Sequence, residues 1–254
     1  MRHYAAVLVL VSTAATVPLG AQSPVQPAPR PDSVRVSARQ SAEYERLRTD
    51  WAGLQTFVKA NFELSPPASD EERVVFMGNS IIEMWTPYFA TMFPGKPYIG
   101  RGISGQTTPQ MLVRFRQDVI ALQPKVVVIL AGTNDIAGNT GPATLEMIEN
   151  NLASMAELAK ANGIRVVLAS VLPAYSYSWK PGVQPAPIIV ALNSWIREYA
   201  REHGAVYLDF HSVMADERLG LRKELSADGV HPNEAGFRVM APLAESAIRA
   251  ALEK

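Results

Sequence analysis

Cysteine is absent from the 254 residues of this chain. Without cysteine the protein can form no disulfide, can carry no thiolate nucleophile and cannot be acylated on a cysteine after processing. Its stability must therefore come from an ordinary packed core, which a chain of this length can supply within one α/β domain.

An excess of either charge is also absent, because 24 Lys and Arg residues balance 24 Asp and Glu residues. This composition offers no basic surface that would attract nucleic acid. The sequence therefore predicts no nucleic-acid partner, and it contains nothing that predicts an oligomeric state.

The chain also lacks a clear hydrophobic run of the length that spans a bilayer, which is about 20 residues. The apolar segment at 5–19 is shorter and is interrupted by Ser and Thr. It follows Arg2 and precedes Gly20-Ala21-Gln22, an order typical of an export signal. We predict a signal peptide at 1–21 and an exported mature protein, periplasmic or secreted, without a membrane span. The alternative is a leader that is retained as an anchor.

The segment after the predicted leader is rich in proline, with four prolines within 22–31. Such a composition buries too little apolar surface to order itself, so 22–36 are predicted to be a linker. A single domain is expected over 37–254. It begins with a predicted helix at 37–64, where apolar residues recur every three or four positions, and Pro66-Pro67 end that helix.

Short apolar runs then alternate with longer amphipathic segments. The runs predict five strands, at 74–77, 98–100, 126–131, 166–170 and 206–209. The other segments predict helices at 81–89, 108–122, 142–162, 187–203 and 233–252. Strands joined by helices run parallel with right-handed crossovers, so we expect an α/β fold: a three-layer α/β/α sandwich around a five-stranded parallel sheet. Its chemistry should lie just after the carboxyl ends of the strands.

Ser80 lies directly after the first predicted strand, in Gly78-Asn79-Ser80-Ile81. A serine at a strand-to-helix junction is usually only a helix cap, because its hydroxyl is a poor nucleophile without a base. Near the end of the chain, Asp228 precedes His231 by three residues in one loop, so the carboxylate can hold the imidazole tautomer. Together these residues favour a Ser-His-Asp hydrolase.

Two other strand ends offer hydrogen-bond donors. Gly102 follows the second predicted strand and can bring a backbone N–H close to a substrate, because glycine has no side chain. Asn134 follows the third strand and can add a side-chain N–H. Each residue alone is equally consistent with a turn or a helix cap.

Taken in order, these Ser, Gly, Asn and Asp-x-x-His blocks resemble the SGNH/GDSL hydrolase superfamily of esterases and lipases, over 74–252. The resemblance implies a flavodoxin-like SGNH hydrolase fold, with Ser80 as nucleophile and Asp228 and His231 completing the triad. It also implies an oxyanion hole formed by Ser80, Gly102 and Asn134. The chain departs from the family at Asn79, where Asp is usual.

The resemblance implies a serine esterase that hydrolyses short acyl esters, chiefly O-acetyl esters on carbohydrates, through an acyl-enzyme and without a cofactor. Fold and triad leave open a lysophospholipase, a thioesterase or an O-acetyltransferase. Two rival functions remain. A metal-dependent hydrolase would use Asp209, His211, Asp228 and His231 as ligands. The other rival is a catalytically silent glycan-binding module, for which Asn79 in place of Asp would indicate that the catalytic motif has decayed.

The loop after the fourth strand contains Tyr175, Tyr177 and Trp179, which we predict to contact an acyl group or a sugar at the same edge of the sheet. The alternative is that Trp179 pins this loop to the core. The run from Gly100 to Gly105 fits a dinucleotide fingerprint, but it does not follow the first strand and lacks the acidic residue about 20 positions later. A nicotinamide cofactor is therefore not expected.

Overall fold

The computed structural model describes residues 38–254. The predicted signal peptide at 1–21 and linker at 22–36 lie outside this range. Residues Ala42–Lys254 form one compact unit, which contains the sheet and every candidate site residue.

Five parallel strands form the sheet in the order β2-β1-β3-β4-β5. They are β1 (Val74–Gly78), β2 (Tyr98–Gly102), β3 (Val126–Leu130), β4 (Arg165–Ala169) and β5 (Val206–Leu208). Every residue of β1 and β3 is buried, as expected of strands covered on both faces. The predicted parallel sheet is confirmed, and each strand lies within two residues of its predicted bounds.

Helices connect and flank the strands. In the described part of the chain they are α1 (Ala38–Thr49), α2 (Val58–Phe62), α3 (Ser80–Trp85), α4 (Phe89–Met92), α5 (Thr108–Asp118), α6 (Thr133–Ile136), α7 (Leu145–Ala161), α8 (Pro185–Glu202), α9 (His211–Met214) and α10 (Glu234–Leu252).

The strands present alternate side chains to two helical layers. Val75 and Met77 pack into the core formed with α5, α7 and α8. Val74 and Phe76 pack into the core formed with α3 and α10. This alternation gives the three-layer α/β/α sandwich that the pattern predicted, because successive strand side chains point to opposite faces.

The prediction of one helix over 37–64 is wrong. Within the described residues α1 ends at Thr49 and α2 does not begin until Val58. The Asp50 carboxylate accepts the backbone N–H groups of Leu54 and Gln55 at 2.7 and 2.9 Å, and Gly53 adopts a left-handed φ of 66°. These local hydrogen bonds replace helical ones and break the predicted helix in two.

Two other predicted helices are shorter than expected. The helix at 81–89 is divided, since Pro87 lies in a 3₁₀ turn at Thr86–Tyr88 between α3 and α4. The helix at 108–122 ends as α5 at Asp118 and is followed by a 3₁₀ turn at Ile120–Leu122. Neither change moves a strand end that carries the candidate site. No helix within 38–254 combines the length and the apolar composition of a bilayer span.

Candidate active site

Ser80 is the first residue of α3, two positions after β1 ends. The Asn79 side chain caps the helix by accepting the Ile81 N–H at 3.0 Å, and Asn79 is only 1% exposed. The serine is thus held at the carboxyl edge of the sheet by an ordinary helix start. The uncharged Asn79 supplies the cap as a carboxylate would.

His231 and Asp228 lie in a loop that is stabilised by its own hydrogen bonds. The Ser226 hydroxyl donates to the His231 carbonyl at 2.7 Å and accepts the Gly229 N–H at 2.9 Å. Asp228 Oδ1 accepts the N–H groups of Val230 and His231 at 2.9 and 2.8 Å. The loop therefore presents acid and imidazole in a fixed relation just before α10.

A continuous hydrogen-bond chain joins this loop to α3. His231 Nε2 lies 2.9 Å from Ser80 Oγ, and His231 Nδ1 lies 2.7 Å from Asp228 Oδ2. Burial alone would raise the pKa of Asp228, but hydrogen bonds from the His231 ring, the His231 N–H and the Val230 N–H outweigh it and lower the pKa to about 2. Asp228 is therefore ionised at neutral pH and can hold a proton on Nδ1, which leaves Nε2 free to accept one from the serine.

Asn134 lies in the short helix α6 directly after β3 and is 5% exposed. Its amide Nδ2 donates to the Gln106 carbonyl at 2.9 Å. An amide nitrogen carries two hydrogens, so this bond orients the side chain and leaves the second N–H without a protein acceptor in the described residues. The bond to the Gln106 carbonyl therefore fixes the direction in which the second N–H of Asn134 can donate.

Gly102 and Gly105 differ in ways that the sequence pattern did not separate. Gly102 is buried under α3, and a Cβ at this position would lie 2.2 Å from the Glu83 nitrogen and 2.6 Å from the Asn79 oxygen. Gly105 is half-buried with a φ of 77°, and a Cβ there would meet no atom within 4 Å. Gly102 is thus required for helix-to-strand packing, whereas Gly105 borders open space next to the Gln106 carbonyl that orients Asn134.

The three aromatic residues predicted to bind substrate have different surroundings. Trp179 is 41% exposed and its ring centre lies 6.3 Å from that of His231. Tyr177 is buried and stacks on Trp179 with 4.8 Å between ring centres. Tyr175 is exposed, but the Arg218 guanidinium covers its ring at 3.8 Å. Only Trp179 therefore offers an open ring beside His231, and the buried Tyr177 supports it and is not itself a contact surface.

The four residues considered as metal ligands do not converge. Within 38–254 no group of three or more His, Asp or Glu side chains is placed to hold a metal ion. Asp209 instead pairs with Arg197 at 3.2 Å, and Asp228 is bound to His231. The donor set that the metal-dependent alternative requires is therefore not assembled.

A concave region lies at the opposite edge of the sheet from the candidate site. A cleft of about 230 Å³ is bordered by the residues that begin β4 and β5, including Arg165 and Val206. In a parallel sheet the amino ends of the strands lie away from the carboxyl ends, so this cleft is remote from Ser80 and His231.

Comparison with known proteins gives a family and several relatives. A model of the GDSL-like Lipase/Acylhydrolase family matches residues 76–239. A solved GDSL-like lipase from Bacteroides thetaiotaomicron is 44% identical, with a TM-score of 0.77 over 80% of this chain and 100% of that one. This similarity agrees with the five-stranded fold described above.

Two curated relatives are esterases. An acetylxylan esterase of Xylanibacter ruminicola is 28% identical over 218 residues, which cover 72% of this chain and 44% of the relative. Esterase TesA of Pseudomonas aeruginosa is 31% identical over 139 residues, which cover 53% of this chain and 60% of the relative. The chain thus spans less than two thirds of the length of both relatives.

Proposed function

This chain belongs to the GDSL-like lipase/acylhydrolase family, and we propose that it is a carboxylic ester hydrolase, namely a serine esterase for short acyl esters, chiefly O-acetyl groups on carbohydrates. The observation that carries this proposal is the hydrogen-bond chain from Ser80 Oγ through the His231 ring to Asp228, at 2.9 and 2.7 Å. A serine, a base within reach of its proton and an acid that orients the base are what acyl transfer needs.

In the proposed reaction His231 Nε2 takes the Ser80 proton while Oγ bonds to the acyl carbon. The tetrahedral intermediate then collapses, the bond to the alcohol oxygen breaks, and His231 returns the proton to that oxygen. A water molecule next gives a proton to His231 while its oxygen attacks the acyl-enzyme, the bond between the acyl carbon and Ser80 Oγ breaks, and His231 returns the proton to Oγ, which releases the carboxylic acid and restores Ser80. Asp228 keeps the imidazole in the required tautomer throughout.

The oxyanion of the intermediate would be held by the N–H of Ser80, the free amide N–H of Asn134 and one glycine N–H. We assign that glycine as Gly105 in place of the predicted Gly102. Gly102 faces the backbone of α3, whereas Gly105 is partly open and adjoins the Gln106 carbonyl that binds Asn134. Donors of this kind act where negative charge develops in the transition state.

Substituting each glycine tests this assignment. Gly102→Ala should lower the melting temperature, because its Cβ would collide with the Glu83 nitrogen at 2.2 Å. Gly105→Ala should keep the fold but lower kcat, since an L-residue at positive φ costs about 1–2 kcal/mol and tilts the neighbouring peptide. A Gly105→Ala enzyme with wild-type kcat would contradict the assignment.

Two observations support a small acyl group on a sugar. The exposed Trp179 ring beside His231 is a surface on which a sugar ring can stack. The relative from Xylanibacter ruminicola is an acetylxylan esterase. A lysophospholipase or thioesterase would instead need to bind a long acyl chain, and an O-acetyltransferase would place a sugar hydroxyl where water attacks the acyl-enzyme.

The central experiment measures kcat/KM for p-nitrophenyl esters from acetyl to decanoyl, then acetyl release from acetylated xylooligosaccharides, with Ser80→Ala as the comparison. We expect a maximum at acetyl to butyryl and a loss of about 10⁴ or more in kcat for Ser80→Ala. A maximum at decanoyl would favour the lipase-like alternatives. A Ser80→Ala enzyme that keeps a tenth of the activity would overturn the proposed triad. Loss of activity in a strong chelator would favour the metal-dependent hydrolase instead.

We also propose that the protein is exported, on the basis of the apolar segment and Gly20-Ala21-Gln22 near its start. The mature amino terminus is then expected at Gln22. Mass spectrometry of the protein recovered from the cell envelope or the medium measures this directly. A full-length chain that retains Met1 in the cytoplasm would contradict export.

A further inference from the structure

Asn139 lies in an exposed loop after α6 and contacts three parts of the candidate site. Its side-chain Nδ2 donates to the Gly105 carbonyl at 3.2 Å, and its Oδ1 accepts the Trp179 Nε1–H at 3.2 Å. Its backbone N–H donates to the Asn134 carbonyl at 3.0 Å. An exposed asparagine with both ends of its amide engaged in this way links segments that no strand or helix joins.

The turn that contains Gly105 is held by side chains on either side. Glu83 accepts the Ser104 N–H, Asn139 donates to the Gly105 carbonyl, and Asn134 donates to the Gln106 carbonyl. A donor is effective only when it lies about 2.7–3.1 Å from the developing oxyanion, so a small tilt of this turn changes the rate. Asn139 is the member of this set whose other end reaches the aromatic loop.

Trp179 is fixed by two contacts. Its ring stacks on the buried Tyr177, and its N–H is held by Asn139. The side chain is 41% exposed, and the indole centre lies 6.3 Å from that of the His231 ring, beside which a sugar would rest during acyl transfer. Rotation of the indole away from this position would break the bond to Asn139.

We propose that Asn139 is a positioning residue that couples the Trp179 ring to the Gly105 turn, so that a sugar stacked on Trp179 steadies the turn that faces the acyl oxygen. This inference rests on the proposed esterase function. It assigns to Asn139 a share of the preference for glycan esters over small aryl esters, because a sugar engages Trp179 and p-nitrophenyl acetate does so much less. Binding energy at a non-reacting part of the substrate would then be used in the transition state.

Three variants separate the two ends of the coupling. Asn139→Asp keeps an acceptor for the Trp179 N–H but removes the donor to Gly105. Trp179→Phe keeps an aromatic ring but removes the N–H, and Asn139→Ala removes both bonds. Asn150→Ala is the matched control, because Asn150 is an exposed asparagine on α7 whose side chain makes no hydrogen bond in the described structure.

The kinetic measurement compares acetylated xylooligosaccharides with p-nitrophenyl acetate. Trp179→Phe should lower kcat/KM about three- to tenfold on the oligosaccharide and less than twofold on the aryl ester, as expected for one hydrogen bond. Asn139→Asp should lower kcat about three- to tenfold on both substrates. In a double-mutant cycle Trp179→Phe should add almost nothing to Asn139→Ala on the oligosaccharide, because the two changes break the same bond.

A second measurement does not depend on turnover. The chain has four tryptophans, and loss of one indole N–H signal in Trp179→Phe identifies that of Trp179 in an NMR spectrum. Hydrogen exchange at this N–H should accelerate in Asn139→Ala and stay slow in Asn139→Asp and Asn150→Ala.

Additive effects in the cycle, equal losses on both substrates in Trp179→Phe, or unchanged exchange in Asn139→Ala would each overturn the coupling. An active Ser80→Ala enzyme would instead overturn the proposed function, and it leaves the exchange measurement unaffected. The two failures are therefore distinguishable.

Discussion

The two halves of the candidate site are built in different ways. The half at the ends of β1 and β3 is embedded in the protein, and Asn134 and Asp135 are 5% and 3% exposed. The other half is the loop at 226–233, where the side chains of His231 and Asp228 are 25% and 48% exposed. Each half contains an aspartate, and the two aspartates differ in the direction of their pKa shift.

Burial raises the pKa of Asp135 to about 6, although the Thr108 N–H and hydroxyl donate to its carboxylate at 2.9 and 2.6 Å. In Asp228 the hydrogen bonds exceed the effect of burial and lower the pKa to about 2. The difference shows that the same side chain is tuned by its surroundings. A carboxylate that must support His231 stays ionised in a partly open loop, and a carboxylate that ties α5 to α6 is buried.

The largest expected effect concerns the loop half. His231→Ala should lower kcat on p-nitrophenyl acetate by about 10⁴, because Ser80 loses its base. The fold should be unchanged, since Ser226 and Asp228 still make their backbone hydrogen bonds within the loop. His203→Ala, at the end of α8, is the control and should retain full activity. A large drop in melting temperature for His231→Ala would show that the loop is not self-supporting.

The next effect concerns the embedded half. Arg114 is fully buried, pairs with Asp118 at 3.1 Å and donates to the Gly78 carbonyl, two residues before Ser80. Arg114→Met should lower the free energy of unfolding by about 3–5 kcal/mol, because Asp118 remains buried without its ion-pair partner. Urea denaturation measures this loss. Arg238→Met breaks an exposed pair with Glu234 and should cost less than about 0.5 kcal/mol; equal losses in the two variants would contradict the comparison.

A third effect separates catalysis from folding within the embedded half. Asn134→Ala should lower kcat by about 10²–10³ with little change in KM, because the lost donor acts on the developing oxyanion. Asn79→Asp should be nearly neutral, since a carboxylate can cap the Ile81 N–H as the amide oxygen does. Steady-state kinetics on p-nitrophenyl acetate test both variants. An Asn134→Ala enzyme with normal kcat would remove Asn134 from the oxyanion hole.

The smallest effect is a pH dependence of stability that comes from Asp135. Its folded pKa of about 6 lies above the value of about 3.9 in an unfolded chain. Between these values the folded state holds a proton that the unfolded state has lost, so stability should fall as pH rises from about 4 to about 6. The contribution is at most about 3 kcal/mol. Asp228 has the opposite sign, and its contribution is lost only as pH falls below about 4.

Urea unfolding of the wild type and Asp135→Asn between pH 4 and 7.5 isolates this contribution. The amide can still accept from Thr108 but does not titrate, so the stability of the variant relative to the wild type should rise across the window. Parallel curves for the two proteins would show that Asp135 keeps an ordinary pKa.

The fold was largely predictable because its signals are local and repeated. Strands β1 and β3 are continuous buried runs of apolar residues, and in the helices between strands the apolar residues recur every three or four positions. The wrong prediction of one helix over 37–64 also came from relying on a local signal. The apolar spacing suggested one helix, but Asp50 and Gly53 favour a turn at short range, and the periodicity does not reveal that competition.

The site was predictable to different degrees. Asp228 and His231 are three residues apart, so their contact follows from the loop that contains both. The proposed choice of Gly105 over Gly102 did not follow from the sequence, because both glycines occur in one short motif. What separates them is the packing of α3 against Gly102, a contact between segments that are distant along the chain. The positive φ of Gly105 is a further signal that appears only in the folded backbone.

The sequence by itself determined the parallel α/β architecture, the order of the four motif blocks and the pairing of Asp228 with His231, because each depends on residues that are neighbours in the chain or repeat along it. Only the tertiary structure decided that His231 meets Ser80 across 151 residues, that Asn139 bridges Gly105 and Trp179, and that Tyr177 is buried. These contacts arise when strands pack side by side and bring their carboxyl ends to one edge. Their geometry depends on the three-dimensional packing of the whole domain and is not encoded at any single position.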